Sequence, residues 1–180
     1  MSESYRAIRL ERFAPSFREA TEIVTLPLTQ PGPGELRVRN RFCGINALFD
    51  TQLARNSVGF VSLSLPSLTG VEALGVVDAV GAGVTCFQPG DAAASFRFTG
   101  GYREANIGAA DTFIKVPDAN PDWLALASTG VAALIALEQI GELKDGETVA
   151  ISAAAGGLGA FAGATCAAAR MPGYRRGRGG

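Results

Sequence analysis

Thr148-Val149-Ala150-Ile151-Ser152-Ala153-Ala154-Ala155-Gly156-Gly157-Leu158-Gly159 is the stretch that decides the architecture. Thr148–Ser152 is a short apolar, β-branched run, as expected of a parallel strand buried on both faces. The glycines that follow break it, and Ala160 to Arg170 then reads as a helix of small residues, stopped by Pro172 and Gly173. Strand, Gly-rich turn and helix together open a dinucleotide-binding unit. Ala153, Ala154, Gly156, Gly157, Leu158 and Gly159 are its candidate cofactor-binding residues. Small side chains let backbone N–H groups approach a pyrophosphate, and the helix N-terminus adds partial positive charge. A glycine turn built only for packing is the other reading of the same residues.

Upstream, Asn120-Pro121-Asp122 is a helix start: a capping Asn, a Pro at the first helical position and an acid at the positive end of the dipole. Trp123 to Ile140 is then apolar and helical, with a break expected near Gly130 and a stop at Gly141. Lys144-Asp145-Gly146-Glu147 is a turn.

Before residue 120 the character is different. Residues 35–42, ELRVRNRF, alternate: Leu36, Val38, Asn40 and Phe42 on one face, Glu35, Arg37, Arg39 and Arg41 on the other. That is the pattern of a half-buried antiparallel strand. Further strands are expected at Tyr5–Leu10, Gly75–Val80, Ala92–Phe98, Arg103–Ile107 and Phe113–Val116, separated by Gly and Pro turns. Many short strands of this kind make a small barrel or sandwich.

With 47% hydrophobic and 18% charged residues, the chain is able to bury a core. There is no histidine, which removes Ser-His-Asp and Cys-His catalysis and any His-containing metal site. Cys43, Cys86 and Cys166 are too few and too scattered for a four-thiolate zinc site or a disulfide framework. The chemistry must come from a cofactor, from carboxylates and hydroxyls, or be absent. The residues up to Glu147 carry a net charge of −5, and Arg170, Arg175, Arg176 and Arg178 add +4. An acidic body without an aromatic-rich basic face disfavours nucleic acid as a partner. No apolar run of membrane-spanning length and no signal peptide is read here, so the expectation is a cytoplasmic protein without a membrane partner.

Gly70-Val71-Glu72-Ala73-Leu74-Gly75, with Gly81 and Val84 at matching spacing, resembles a signature of the medium-chain dehydrogenases/reductases. Phe87-Gln88-Pro89-Gly90-Asp91, Gly101-Tyr102-Arg103-Glu104 and Ile114-Lys115-Val116-Pro117-Asp118 resemble the segments that follow it in that family. Ala153-x-x-Gly156-x-x-Gly159 is similar to the turn of its quinone-oxidoreductase-like, zinc-independent branch. Phe13 to Ala20 and Val38 to Phe42 look closest to prostaglandin-reductase-like members.

The resemblance implies mixed β and α/β architecture. Residues 1–120 would form a GroES-like β-barrel catalytic domain. Residues 121–170 would hold the first strand, turn and helix of an incomplete Rossmann domain, and residues 171–180 a disordered basic Gly/Arg tail. It implies NADPH as cofactor, with NADH as the alternative, and a small carbonyl-conjugated substrate, a quinone or enone. Where zinc-dependent relatives carry ligands, this chain has Asn46 and Val71, so no zinc is expected. Asn46 would be the catalytic amide, also contacting the nicotinamide; a capping or turn role is the plain alternative. A Thr-Ala-Tyr or Thr-Ala-Ser run common in relatives is Ala132-Ala133-Leu134 here, which lacks hydroxyls. The resemblance stops near Arg170, so the chain is read as a truncated product with impaired activity; a non-catalytic GroES-like module is the alternative. Self-association through the incomplete Rossmann part is expected, because its strand edge would be open.

Overall fold

Among the described residues, seven of eight short strands lie within the first 110 positions, and the eighth forms an edge of the larger sheet. The computed structural model describes residues 3–60, 62–97 and 100–168. The basic tail, Arg170 included, lies outside the described residues. The chain forms two compact units, one running through Leu124 and the other starting at Ala125.

In the first unit, β1 (Ser4–Leu10), β2 (Thr21–Pro27) and β4 (Ser67–Leu68) make a three-stranded sheet in the order β2-β1-β4. The short helix α1 (Phe17–Ala20) leads into β2. The larger sheet runs β7-β3-β5-β6-β8, from β3 (Glu35–Gly44), β5 (Glu72–Val80), β6 (Ala92–Phe96), β7 (Ala105–Ala109) and β8 (Phe113–Val116). Residues 102–104 tie the sheets together. Ile8 N–H donates to Tyr102 O at 2.8 Å, Glu104 N–H to Arg6 O at 3.0 Å, and Asn40 N–H to Glu104 O at 2.9 Å. Leu36, Val38, Val77, Phe87, Ala93 and Phe113 form one buried cluster, and Leu74, Ala92, Ala94, Val116 and Leu124 another. Helix α2 (Ala47–Ala54) buries Phe49, Leu53 and Ala54, with Val58 completing its contact.

Strand β3 is where the simple alternation fails. Its pairing with β5 shifts register between Arg37 and Val38 and again between Asn40 and Phe42. Each bulge turns the side chains that follow it. Phe42, which follows both shifts and was expected inward, is 41% exposed, while Arg37, expected outward and lying before them, is buried. Arg37 is tolerated inside because Asp78 answers it. Its Nε donates to Asp78 Oδ1 at 2.7 Å, another of its nitrogens donates to Thr29 O at 3.0 Å, and Arg39 Nε donates to Asp78 Oδ2 at 2.7 Å. Burial works against the charged form of Asp78, but the hydrogen bonds from Arg37 and Arg39 overcome it and hold the carboxyl below its ordinary range. A carboxyl depressed in the folded state stabilises the fold above its unfolded pKa and loses that contribution as pH falls through the folded value. Asp78→Asn is therefore expected to be destabilised at neutral pH and to lose less further stability than wild type between pH about 4 and about 2. Urea unfolding of both proteins across that range checks this; parallel curves would contradict it.

Helix α3 (Asp122–Ile140) starts as expected, with Asn120 Oδ1 accepting from Asp122 N–H at 3.0 Å. The break expected at Gly130 is absent: Gly130 is helical, with φ −65 and ψ −48. The ladder instead widens into π turns over Leu126–Gly130 and Ile135–Ile140. Glycine inside a helix costs about 1 kcal/mol relative to alanine, too little to end it. Contrary to the sequence expectation, α3 is long and apolar enough to cross a membrane by length and composition alone, a test that the core helix of a soluble protein also passes. Helix α4 (Gly157–Ala168) packs in the second unit and buries Ala162 and Cys166.

The strand expected over Thr148–Ser152 does not form. Residues 147–151 run without strand pairing and Ser152 enters a turn. A parallel strand gains its hydrogen bonds only from neighbours, and among the described residues no strand lies in the second unit to pair with it.

Candidate functional site

The predicted cofactor-binding residues of the second unit meet in one turn. Ala153 adopts a left-handed backbone, φ 50, and its carbonyl accepts from Gly156 N–H at 2.9 Å. Gly156 O then accepts from Ala160 N–H at 2.8 Å, the first intrahelical bond here. The N–H groups of Gly157, Leu158 and Gly159 therefore precede the helical ladder and point out of the helix start. Gly159 is required by close approach: a Cβ there would lie 2.5 Å from Ala153 O and 2.7 Å from Ala154 Cα. Leu158 is 47% exposed, so it leaves the turn open instead of sealing it. The arrangement fits a pyrophosphate. Among the described residues the second unit holds no strand at all, and so none carrying a group for the adenosine ribose.

Asn46, in the first unit, is the N-cap of α2. Its Oδ1 accepts from Phe49 N–H at 3.2 Å. That arrangement realises the capping alternative, and it leaves Nδ2 as the donor. Val71 packs beside Phe49, Leu53 and Val58. Among the described residues no group of three or more Cys, Asp or Glu side chains comes together to hold a metal.

A cavity of about 660 Å³ is walled by Ile45 and Ala47, while Asn46 between them in sequence is not part of its lining. Ile8, Phe17, Ile23 and Phe42 supply apolar walls, and Asp50 and Tyr102 supply polar ones. The size and lining suit a small organic molecule. Tyr102 Oη donates to Asp50 Oδ2 at 2.5 Å. Burial raises the Asp50 carboxyl, and the Tyr102 hydrogen bond pulls it back the other way. Burial first, then the bond to Asp50, pushes the Tyr102 phenol well up, so Tyr102 stays a donor. Neither residue was a sequence candidate. Tyr102 lay inside the quoted Gly101–Glu104 segment, but nothing in that segment shows that it meets Asp50.

Residues 32–120 match the family described as alcohol dehydrogenase GroES-like domain. The chain belongs to the medium-chain dehydrogenases/reductases. It is 37% identical over 155 residues to prostaglandin reductase-3 of Mus musculus, which covers 84% of this chain and 40% of that relative. Among solved structures it is similar to the quinone oxidoreductase of Pseudomonas syringae, with TM-score 0.80, 30% identity, and coverage of 93% of this chain and 51% of that one. The quinone oxidoreductase of Escherichia coli, solved in complex with NADPH, gives TM-score 0.77 and 27% identity, covering 92% of this chain and 50% of that one. The chain thus spans 40% of the length of the curated relative and about half of each solved one. The mixed β and helical architecture, with its GroES-like part, agrees with this membership.

Proposed function

We propose that this chain carries zinc-free oxidoreductase machinery for reducing a quinone or an enone C=C bond with NADPH. The turn Ala153–Gly159 carries the reading: it presents free N–H groups at a helix start and excludes any Cβ at Gly159. When bound, NADPH would supply the hydride. The chain's own part is to cradle the pyrophosphate on Gly157, Leu158 and Gly159, and to offer the Asn46 Nδ2 donor where a substrate oxygen gains charge. Asn46 and Val71 at the ligand positions of zinc-dependent relatives support zinc independence. Elemental analysis after chelator dialysis is expected to show no stoichiometric zinc; finding one zinc per chain would overturn it. A cytoplasmic location belongs to the same reading.

The unpaired stretch 147–151 favours a second reading, a GroES-like module with little catalysis of its own. Without a sheet beneath it the turn contacts only part of the dinucleotide, and the ordering cost is met by fewer contacts. Calorimetric titration of the chain with NADPH is expected to give a dissociation constant weaker than about 10 μM, or about −7 kcal/mol. At millimolar NADPH, chain-dependent turnover of menadione or methyl vinyl ketone is expected, and Gly159→Ala should abolish it. Absence of turnover at saturating NADPH would leave the module reading. Leu126, Val131, Leu134, Ile135 and Ile140 are exposed on α3, which supports self-association, and sedimentation across a concentration series would test it.

A further inference from the structure

Tyr102 is fixed on several sides. Its N–H donates to Thr69 O at 2.9 Å, its C=O accepts from Ile8 N–H at 2.8 Å, and its ring meets Phe17 edge-on at 6.1 Å. Its hydroxyl then reaches across to α2, donating to Asp50 Oδ2 at 2.5 Å. Asp50 is 5% exposed, and its Oδ1 has no hydrogen-bond partner. The Asp50 backbone N–H in turn donates to Asn46 O at 2.9 Å. Residue 46 is thus constrained twice. Tyr102 fixes Asp50, whose N–H holds the backbone of residue 46, and the bond from Phe49 N–H to Oδ1 holds its side chain. With Oδ1 turned to the cap, Nδ2 is the side-chain group that carries the donors.

We propose that Tyr102 and Asp50 are positioning residues for Asn46, holding residue 46 so that its amide presents N–H donors, not the carbonyl oxygen, to a substrate oxygen. The substrate half of this inference rests on the function proposed above; the placement of Asn46 does not. A carboxylate buried with one orphaned oxygen is a costly thing to keep, and a hydroxyl bridging it to the start of a helix gives that cost a purpose.

The test is amide hydrogen exchange of Asp50, the donor to Asn46 O, and the side-chain amide resonance of Asn46, measured by NMR on the full chain. Tyr102→Phe is expected to speed exchange of the residue 50 backbone amide about tenfold or more and to shift the Asn46 side-chain resonance. Amides of Leu36 and Val77 should be unchanged, which shows that the sheets persist. Asp50→Asn keeps an oxygen acceptor for Tyr102 and should retain the protection; Asp50→Leu should lose it. A folded Tyr102→Phe with unchanged residue 50 exchange and Asn46 resonance would falsify the proposal. Should Tyr102→Phe not fold, equal protection in the two Asp50 variants would overturn it instead. Menadione turnover is the separate arm. There Tyr102→Phe is expected to lower kcat about tenfold with KM for NADPH unchanged. A wild-type chain without turnover would sink the functional reading alone, while the exchange results would still decide the positioning.

Discussion

Gly75→Ala is expected to destabilise the GroES-like unit by about 3 kcal/mol or more, a large share of the 5–15 kcal/mol that a folded domain commonly has. Gly75 lies in β5 opposite Asn40 of β3 and Ala93 of β6. A Cβ there would overlap the carbonyl of Arg39 and stand 2.7 Å from Asn40 Cα. Both obstacles are backbone, and both belong to a ladder paired on each side, so neither yields without breaking hydrogen bonds. Gly59 is the control. Nothing lies within 4 Å of a Cβ added there, and Gly59→Ala should change stability by no more than about 1 kcal/mol in either direction. Urea unfolding followed by the intrinsic fluorescence and far-UV signal would measure both. A Gly75→Ala protein within about 1 kcal/mol of wild type would show that β3 and β5 are not packed as described.

Leu74→Ala acts on the next residue by the opposite mechanism. Leu74 is fully buried among Ala92, Ala94, Val116 and Leu124, so truncation leaves a cavity. Its alanine neighbours have no longer side chains to fill the space, which places the loss at about 3–4 kcal/mol within the known range for such changes. Leu74→Met conserves volume and should cost less than about 1.5 kcal/mol. Equal losses for the two would mean that the site is not tightly packed. An unchanged dependence on urea concentration would confirm that the effect is on the folded state.

The strands β1, β3, β5, β6, β7 and β8 were legible because apolar residues alternate along them or run unbroken between glycine turns. β2 and β4 were not. β2 is an edge strand whose Ile23 faces solvent at 74% exposure, so its pattern does not mark a buried face. β4 has two residues, too few for any periodicity. Helix α2 was missed because its buried face includes Asp50, a residue that composition alone sends outward.

Local chemistry sufficed where neighbours in sequence are also neighbours in space. The turn Ala153–Gly159, the capping oxygen of Asn120 and the turn at Gly146 each close within a few residues, and no distant partner is needed. Tertiary structure decided the rest. The shifts in β3 leave Phe42 outside, and Arg37 is covered through Asp78 and Thr29, partners distant in sequence. Thr148–Ser152 reads as a strand and is not one, because a parallel strand exists only with partners beside it. Asp50 and Tyr102 meet only because residues 102–104 bond to both sheets, a closure over more than fifty residues that no local pattern encodes.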